Sequence, residues 1–156
     1  MATITVVAPK VVYPGADYHF ESFVETNSTT LAAGRIAVIS TGRWAAAASD
    51  PAAGTILGQN TVAGTNVTSS NPAQDIAIFG VSTVIEINSN STGTDPTIGT
   101  AYELVVSTND HQLDVTTTTN DVLVPIRLSP KDTTGDTNIR VYARVVGTRL
   151  YWFQGA

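Results

Sequence analysis

Apolar and polar positions alternate with a period of two through several stretches of the chain. Val124, Ile126 and Leu128 alternate with Pro125 and Arg127. Ile139, Val141, Ala143 and Val145 alternate with Arg140, Tyr142 and Arg144. A period of two sends one face of a strand to a core and the other to water or a partner. Gly147-Thr148 then predicts a two-residue hairpin loop, with Gly supplying the positive φ. That register sets Val146 against Arg149, Val145 against Leu150, Arg144 against Tyr151, Ala143 against Trp152 and Tyr142 against Phe153. One face carries Ala143, Val145, Leu150 and Trp152. The other is amphipathic, and Tyr142, Arg144, Arg149, Tyr151 and Phe153 on it are candidate subunit-interface residues. A closed barrel whose strand is buried on both sides is the competing account.

Taken in order, residues 1–25 read as an extended N-terminal arm. Ile4 to Val7 and Val11 to Tyr13 are strand-like, but Pro9 and Pro14 interrupt them and confine them to edge positions. The apolar side chains Ile4, Val6, Val7, Val11, Val12 and Tyr13 are the candidate contact residues of this arm. It either lies across its own domain or reaches a neighbour by strand addition. Residues 26–156 read as a single β-rich domain. Thr26 to Thr30 is a polar loop, and Arg35 to Thr41 a buried strand. Gly42 to Ala48 has the alanine content for one or two helical turns. Ile56-Leu57 and Thr61-Val62 are weaker strands, followed by a Gly/Asn/Ser/Pro loop over 63–75. Asp75 to Asn88 is the strongest strand signal, with Gly80 marking a bulge, a bend or a tight backbone approach. Further strands are expected near Ala101–Ser107, Gln112–Val115, Val122–Leu128, Ile139–Val146 and Arg149–Phe153. Short strands with frequent turn signals and little helix predict an all-β fold, an antiparallel barrel or sandwich. Without crossover helices a parallel sheet is not expected.

The 156 residues suit one domain. There is no cysteine, which excludes thiol catalysis and thiolate metal sites. No basic segment followed by an apolar run opens the chain, and no run approaches the roughly 18 apolar residues of a membrane span. Synthesis in a cytoplasm, with no membrane partner, is the expectation. Charged residues are only 13% of the chain, a proportion suited to a surface that lies against other protein. The net charge of −5 argues against nucleic acid as a partner. The charge is uneven: no Lys or Arg falls between Arg43 and Arg127, whereas Arg127, Lys131, Arg140, Arg144 and Arg149 follow. Opposite patches of this kind guide contacts with copies of the chain or with a repeated surface.

Chemistry-bearing motifs are sparse. His19 and His111 are isolated, and no His-x-x-x-His or Glu-x-x-His pair is present for a metal. Asp110 and Asp114 flank His111, but no Gly-x-Ser-x-Gly accompanies them, and a polar-loop histidine is the simpler account. Asn88 to Gly93 has the alternating oxygens of a calcium loop but no closing Glu. Asp132 and Asp136 bracket a turn where calcium is conceivable, though Asx turns explain the same residues. Asn27, Asn66 and Asn90 begin glycosylation triplets that a chain rich in Asn, Ser and Thr produces by chance. No catalytic, cofactor or metal site is expected, and the chain does not read as an enzyme.

Three pieces carry a family resemblance: the block Ile98–Leu104 (IGTAYEL), the polar strand that follows it to Val115, and Val124–Tyr142 (VPIRLSPKDTTGDTNIRVY). Together they resemble the C-terminal half of the head decoration, or cement, proteins of tailed bacteriophages. The resemblance implies a β-rich virion protein on the outer surface of the capsid. It implies a homotrimer as the assembly and the major capsid protein as the partner. On that reading the arm contacts the capsid, and the C-terminal hairpin forms the core or the subunit interface. A carbohydrate-binding or adhesin-like β-sandwich is the alternative, with Trp44, Tyr102 or Trp152 as a sugar platform. A deep cleft lined by converging ionisable side chains, or a lone compact monomer with its first twenty or so residues folded back onto itself, would overturn the reading that the chain works by lying against other subunits.

Overall fold

The computed structural model of the protein describes residues 1–26, 29, 31–49, 51, 55–65, 71–107, 110–119 and 121–147. The fold is all-β, and no α-helix occurs among the described residues. The strands are β1 (Lys10–Tyr13), β2 (His19–Glu25), β3 (Ile36–Ser40), β4 (Arg43–Ala46), β5 (Ile56–Asn60) and β6 (Ala73–Ile78). They continue with β7 (Val84–Asn88), β8 (Glu103–Ser107), β9 (Asp110–Asp114), β10 (Leu123–Leu128) and β11 (Arg140–Val145). They form a closed barrel in the order β2-β4-β3-β5-β6, a four-stranded sheet in the order β1-β7-β11-β10, and the hairpin β8-β9.

The barrel closes through one short parallel pairing, Val24 with Arg43 and Glu25 with Trp44, while its other ladders are antiparallel. Gly42 to Ala48 does not make the expected helical turns. Arg43–Ala46 is β4, paired with β3 across a tight hairpin at Thr41-Gly42. Both turn residues have positive φ, 52° and 73°, the backbone a two-residue type I′ loop needs. Burial overrides alanine's helix propensity here, because the strand places Trp44 in the barrel core at 0% exposure. Leu31, Ala37, Ile39, Ile76 and Ile78 pack there with it.

The long signal from Asp75 to Asn88 splits in two. β6 belongs to the barrel and β7 to the four-stranded sheet. Gly80 sits at the crossing, where a Cβ would collide with Asp17. The crossing is fastened by Thr83, whose hydroxyl accepts from the Gly80 amide at 2.9 Å and donates to the Pro14 carbonyl at 2.7 Å. A larger core joins the modules. Ile36 and Leu57 of the barrel, Ile85, Ile87, Val141 and Ala143 of the sheet, and Leu104 and Leu113 of the hairpin all lie in it.

Residues 1–25 are extended but do not leave the domain. β1 pairs with β7, and β2 pairs with β6 along six residues. Residues 1–9 lie along the turn before β11. The Ile4 amide donates to the Thr137 carbonyl at 2.9 Å, and the Thr137 amide donates to Ala2 at 2.8 Å. Asn88 fixes the next residues, its carboxamide accepting from the Val7 amide at 3.1 Å and donating to Thr5 at 3.3 Å. The extended arm is therefore a strap on its own fold, because its backbone groups find partners in Thr137 and Asn88.

Candidate functional site

The four-stranded sheet has two unlike faces. Ile85, Ile87, Val141 and Ala143 point inward and are at most 1% exposed. The residues between them form the outer face. Register places Lys10 opposite Glu86, Glu86 opposite Tyr142, and Tyr142 opposite Arg127, so one row crosses all four strands. A neighbouring row carries Tyr13 against Val84, and Arg144 against Val124.

Two bulges set which side chains stand outward. In β10 the expected alternation of Val124, Ile126 and Leu128 on one face fails. Pro125 pairs with Ala143 over the core, and the register slips between Pro125 and Arg127. Proline cannot donate to a ladder, and an edge strand with an extra residue accommodates it. The slip turns Ile126 and Arg127 outward and returns Leu128 to the core side. A second slip in β1, between Val11 and Tyr13, leaves Val12 and Tyr13 exposed while Val11 packs against the core.

The face concentrates positive charge. Five of the chain's eight Lys and Arg residues reach it: Lys10, Arg127, Lys131, Arg140 and Arg144. Two are neutralised. Lys131 donates to both oxygens of Glu86 at 3.0 and 2.9 Å, with the Ser129 hydroxyl adding a third bond at 2.8 Å. Burial pushes the Glu86 carboxyl up, but these bonds together outweigh it and hold its pKa below the usual carboxylate range. Asp132 takes the Arg140 guanidinium and also the Arg140 amide, at 2.8 Å, and the guanidinium holds its pKa low. Among the described residues, Lys10, Arg127 and Arg144 are exposed and carry no ion pair. The Arg127 guanidinium lies 4.4 Å from the centre of the Tyr142 ring. That contact is worth about 0.5–1 kcal/mol at an exposed site, and it orients the arginine without neutralising it.

Beside Arg127 and Arg144 runs an open groove of about 500 Å3, lined by Val12, Tyr13, Val84, Ile126, Arg127, Tyr142 and Arg144, with Lys10 outside the lining. Tyr13 is 59% exposed and Ile126 37%. The groove unites residues expected separately from sequence, Val12 and Tyr13 from the arm and Tyr142 and Arg144 from the hairpin. Ile4 and Val6 are half-buried in the strap, and Val7 is exposed there, away from the groove lining. Arg149, Tyr151 and Phe153, with the hairpin expected at Gly147-Thr148, lie outside the described residues. Sequence reading missed the roles of Val84, Ile126 and Arg127. Pro125 in an otherwise central-looking strand was the signal that the alternation would break.

The other candidate groups are structural. His111 is fully buried in β9, not in a polar loop, with Nε2 2.9 Å from the Ala47 carbonyl and Nδ1 3.3 Å from the Ile36 amide nitrogen. Burial pushes its pKa down. His19 in β2 bonds the Asp17 carbonyl and Glu21. In the two conceivable calcium turns the oxygens are already engaged. Asn88 holds the strap, and Asp136 accepts from the amides of Ala2 and Thr133 at 2.6 and 3.0 Å. Among the described residues no three His, Asp or Glu side chains cluster as metal ligands. Trp44 and Tyr102 are 0% and 6% exposed, so neither can offer a ring face to a sugar. Trp152 lies outside the described residues. No family model and no curated protein matches the chain.

Proposed function

We propose that the chain is a structural docking subunit, a capsid decoration protein that binds the outer surface of a phage head and bridges its subunits. The observation that carries the reading is the groove on the outer sheet face. Exposed Tyr13 on one edge strand and Ile126 and Arg127 on the opposite edge strand line it together. Tyrosine and arginine dominate binding energy in protein interfaces, and rigid strands present them at low entropic cost. The short sequence resemblance to head decoration proteins points the same way. Contact through this face replaces contact through a free arm, since the backbone of residues 1–9 is already occupied. Trimerisation and repeated weak contacts with a lattice would supply avidity.

Co-sedimentation with capsids assembled from the major capsid protein of the same virus tests the reading. Saturable binding is expected, together with a trimer mass by light scattering. A folded protein that stays in the supernatant at all concentrations would contradict it. The carbohydrate-binding alternative loses support from the burial of Trp44 and Tyr102.

A further inference from the structure

We infer that the outer sheet face takes an acidic, extended segment of a partner protein, with one carboxylate on Arg127 at the groove, another on Lys10 at the far end of the same row outside the groove lining, and an apolar side chain in the groove that Tyr13 and Ile126 line. This rests on the docking reading above and names the chemistry of the partner.

A chain of net charge −5 keeps three unpaired cations among the described residues on one face, after Lys131 and Arg140 are matched by Glu86 and Asp132. A partner of opposite sign is steered to that face and held in register, and a basic one is repelled. Lys10 and Arg127 end a row across four strands. Neighbouring strands lie about 4.8 Å apart, so the row spans about 14 Å. Residues i and i+4 of an extended peptide point the same way and are also separated by about 13–14 Å. Two carboxylates at that interval match the two ends of the row, and Arg144 stands in the adjacent row for a third. Nucleic acid fits less well. One ring face of Tyr142 is covered by Arg127, and few cations are free to displace counterions.

The test uses the full chain, labelled with 15N, and three ten-residue serine-based peptides that carry valine at i+2 between glutamate, lysine or serine at i and i+4, so that all three side chains share one face. The glutamate peptide is expected to shift amides in 10–13, 124–127 and 142–144, and the other two to leave them in place. Arg127→Glu with Arg144→Glu should weaken the glutamate peptide at least about tenfold, a loss expected when attraction becomes repulsion. Both side chains are exposed, so the variant should still unfold cooperatively, its urea midpoint lowered only by the loss of the Arg127–Tyr142 contact. Shifts outside that face, equal affinity for all three peptides, no binding of the glutamate peptide at millimolar concentration, or tighter binding of a ten-nucleotide thymidine strand would each overturn the inference. So would self-association through this face, seen as loss of trimer or dimer mass in the double variant. The two readings fail differently. Wild type absent from capsid pellets sinks the docking proposal. Wild type that pellets equally with and without 0.5 M salt, and as well as the double variant, sinks only the acidic partner.

Discussion

At the residue scale the most consequential side chains are polar groups sealed in the core. His111 joins the β8-β9 hairpin to the barrel through both ring nitrogens. The Ile36 amide already donates to Nδ1, so a second proton there would set two donors face to face. Burial and the nearby Arg35 oppose that proton, while Asp110 favours it, and the balance lowers the pKa. The unfolded chain binds the proton near pH 6.5 and the folded chain at lower pH, so this stability is complete above about 6.5 and falls as pH drops through the folded value. Urea midpoints should therefore decline between pH 7 and pH 5, and His111→Gln should be less stable at pH 7 yet flatter across that window. An unchanged slope in the variant would remove His111 as the cause. The carboxyls of Asp132, Asp136 and Glu86, whose pKa values are held low, contribute their own loss only in more acid solution. Trp44→Ala should cost about 3–5 kcal/mol, the range for emptying a buried aromatic site. A variant with wild-type stability would mean the indole is not in the core.

At the element scale the paired β1 changes what a truncation does. Removing residues 2–14 deletes a strand of the sheet and strips Asn88, Asp136 and Thr83 of hydrogen-bond partners. Each such buried group costs about 1–3 kcal/mol when left unmade. The truncated protein should melt well below wild type or fail to fold, and a wild-type melting curve would show the strap to be dispensable. Gly80→Val should likewise lower the melting temperature, since the new side chain meets Asp17. Much of this level was legible in the sequence. The alternation at Ile139–Val145 placed Ala143 and Val145 inside and Tyr142 and Arg144 outside, as found. Gly80 marked a bulge, a bend or a tight approach within the Asp75–Asn88 run, though not that the two halves would join different sheets. What escaped was decided by pairing at long range. β4 is a strand because β3 and the I′ turn make it one, against its alanine content. Arg127 faces outward because of a bulge that pattern alone cannot locate. Residues 1–9 are held by side chains more than eighty positions away.

At the scale of the molecule, a closed barrel and a sheet share one core, and among the described residues one sheet face carries an open groove. Closure disposes of the barrel's edges. β1 remains at a sheet edge, flanked by Pro9 and Pro14 and carrying Lys10, features that discourage uncontrolled strand pairing. The open surface is thus a side-chain surface, with tyrosines and arginines presented by strands of the four-stranded sheet. The groove's chemistry and its position on paired strands are why we propose it as the place where the chain meets a partner.

Oxidative footprinting of the protein free and bound to capsids addresses that claim most directly. Tyr13 and Phe20 are almost equally exposed, at 59% and 57%, but belong to the sheet and the barrel respectively. Docking through the sheet face predicts strong protection of Tyr13 and Tyr142 on the capsid with Phe20 labelled as before. Protection of Phe20 with Tyr13 unchanged would place the contact on the barrel and contradict the account.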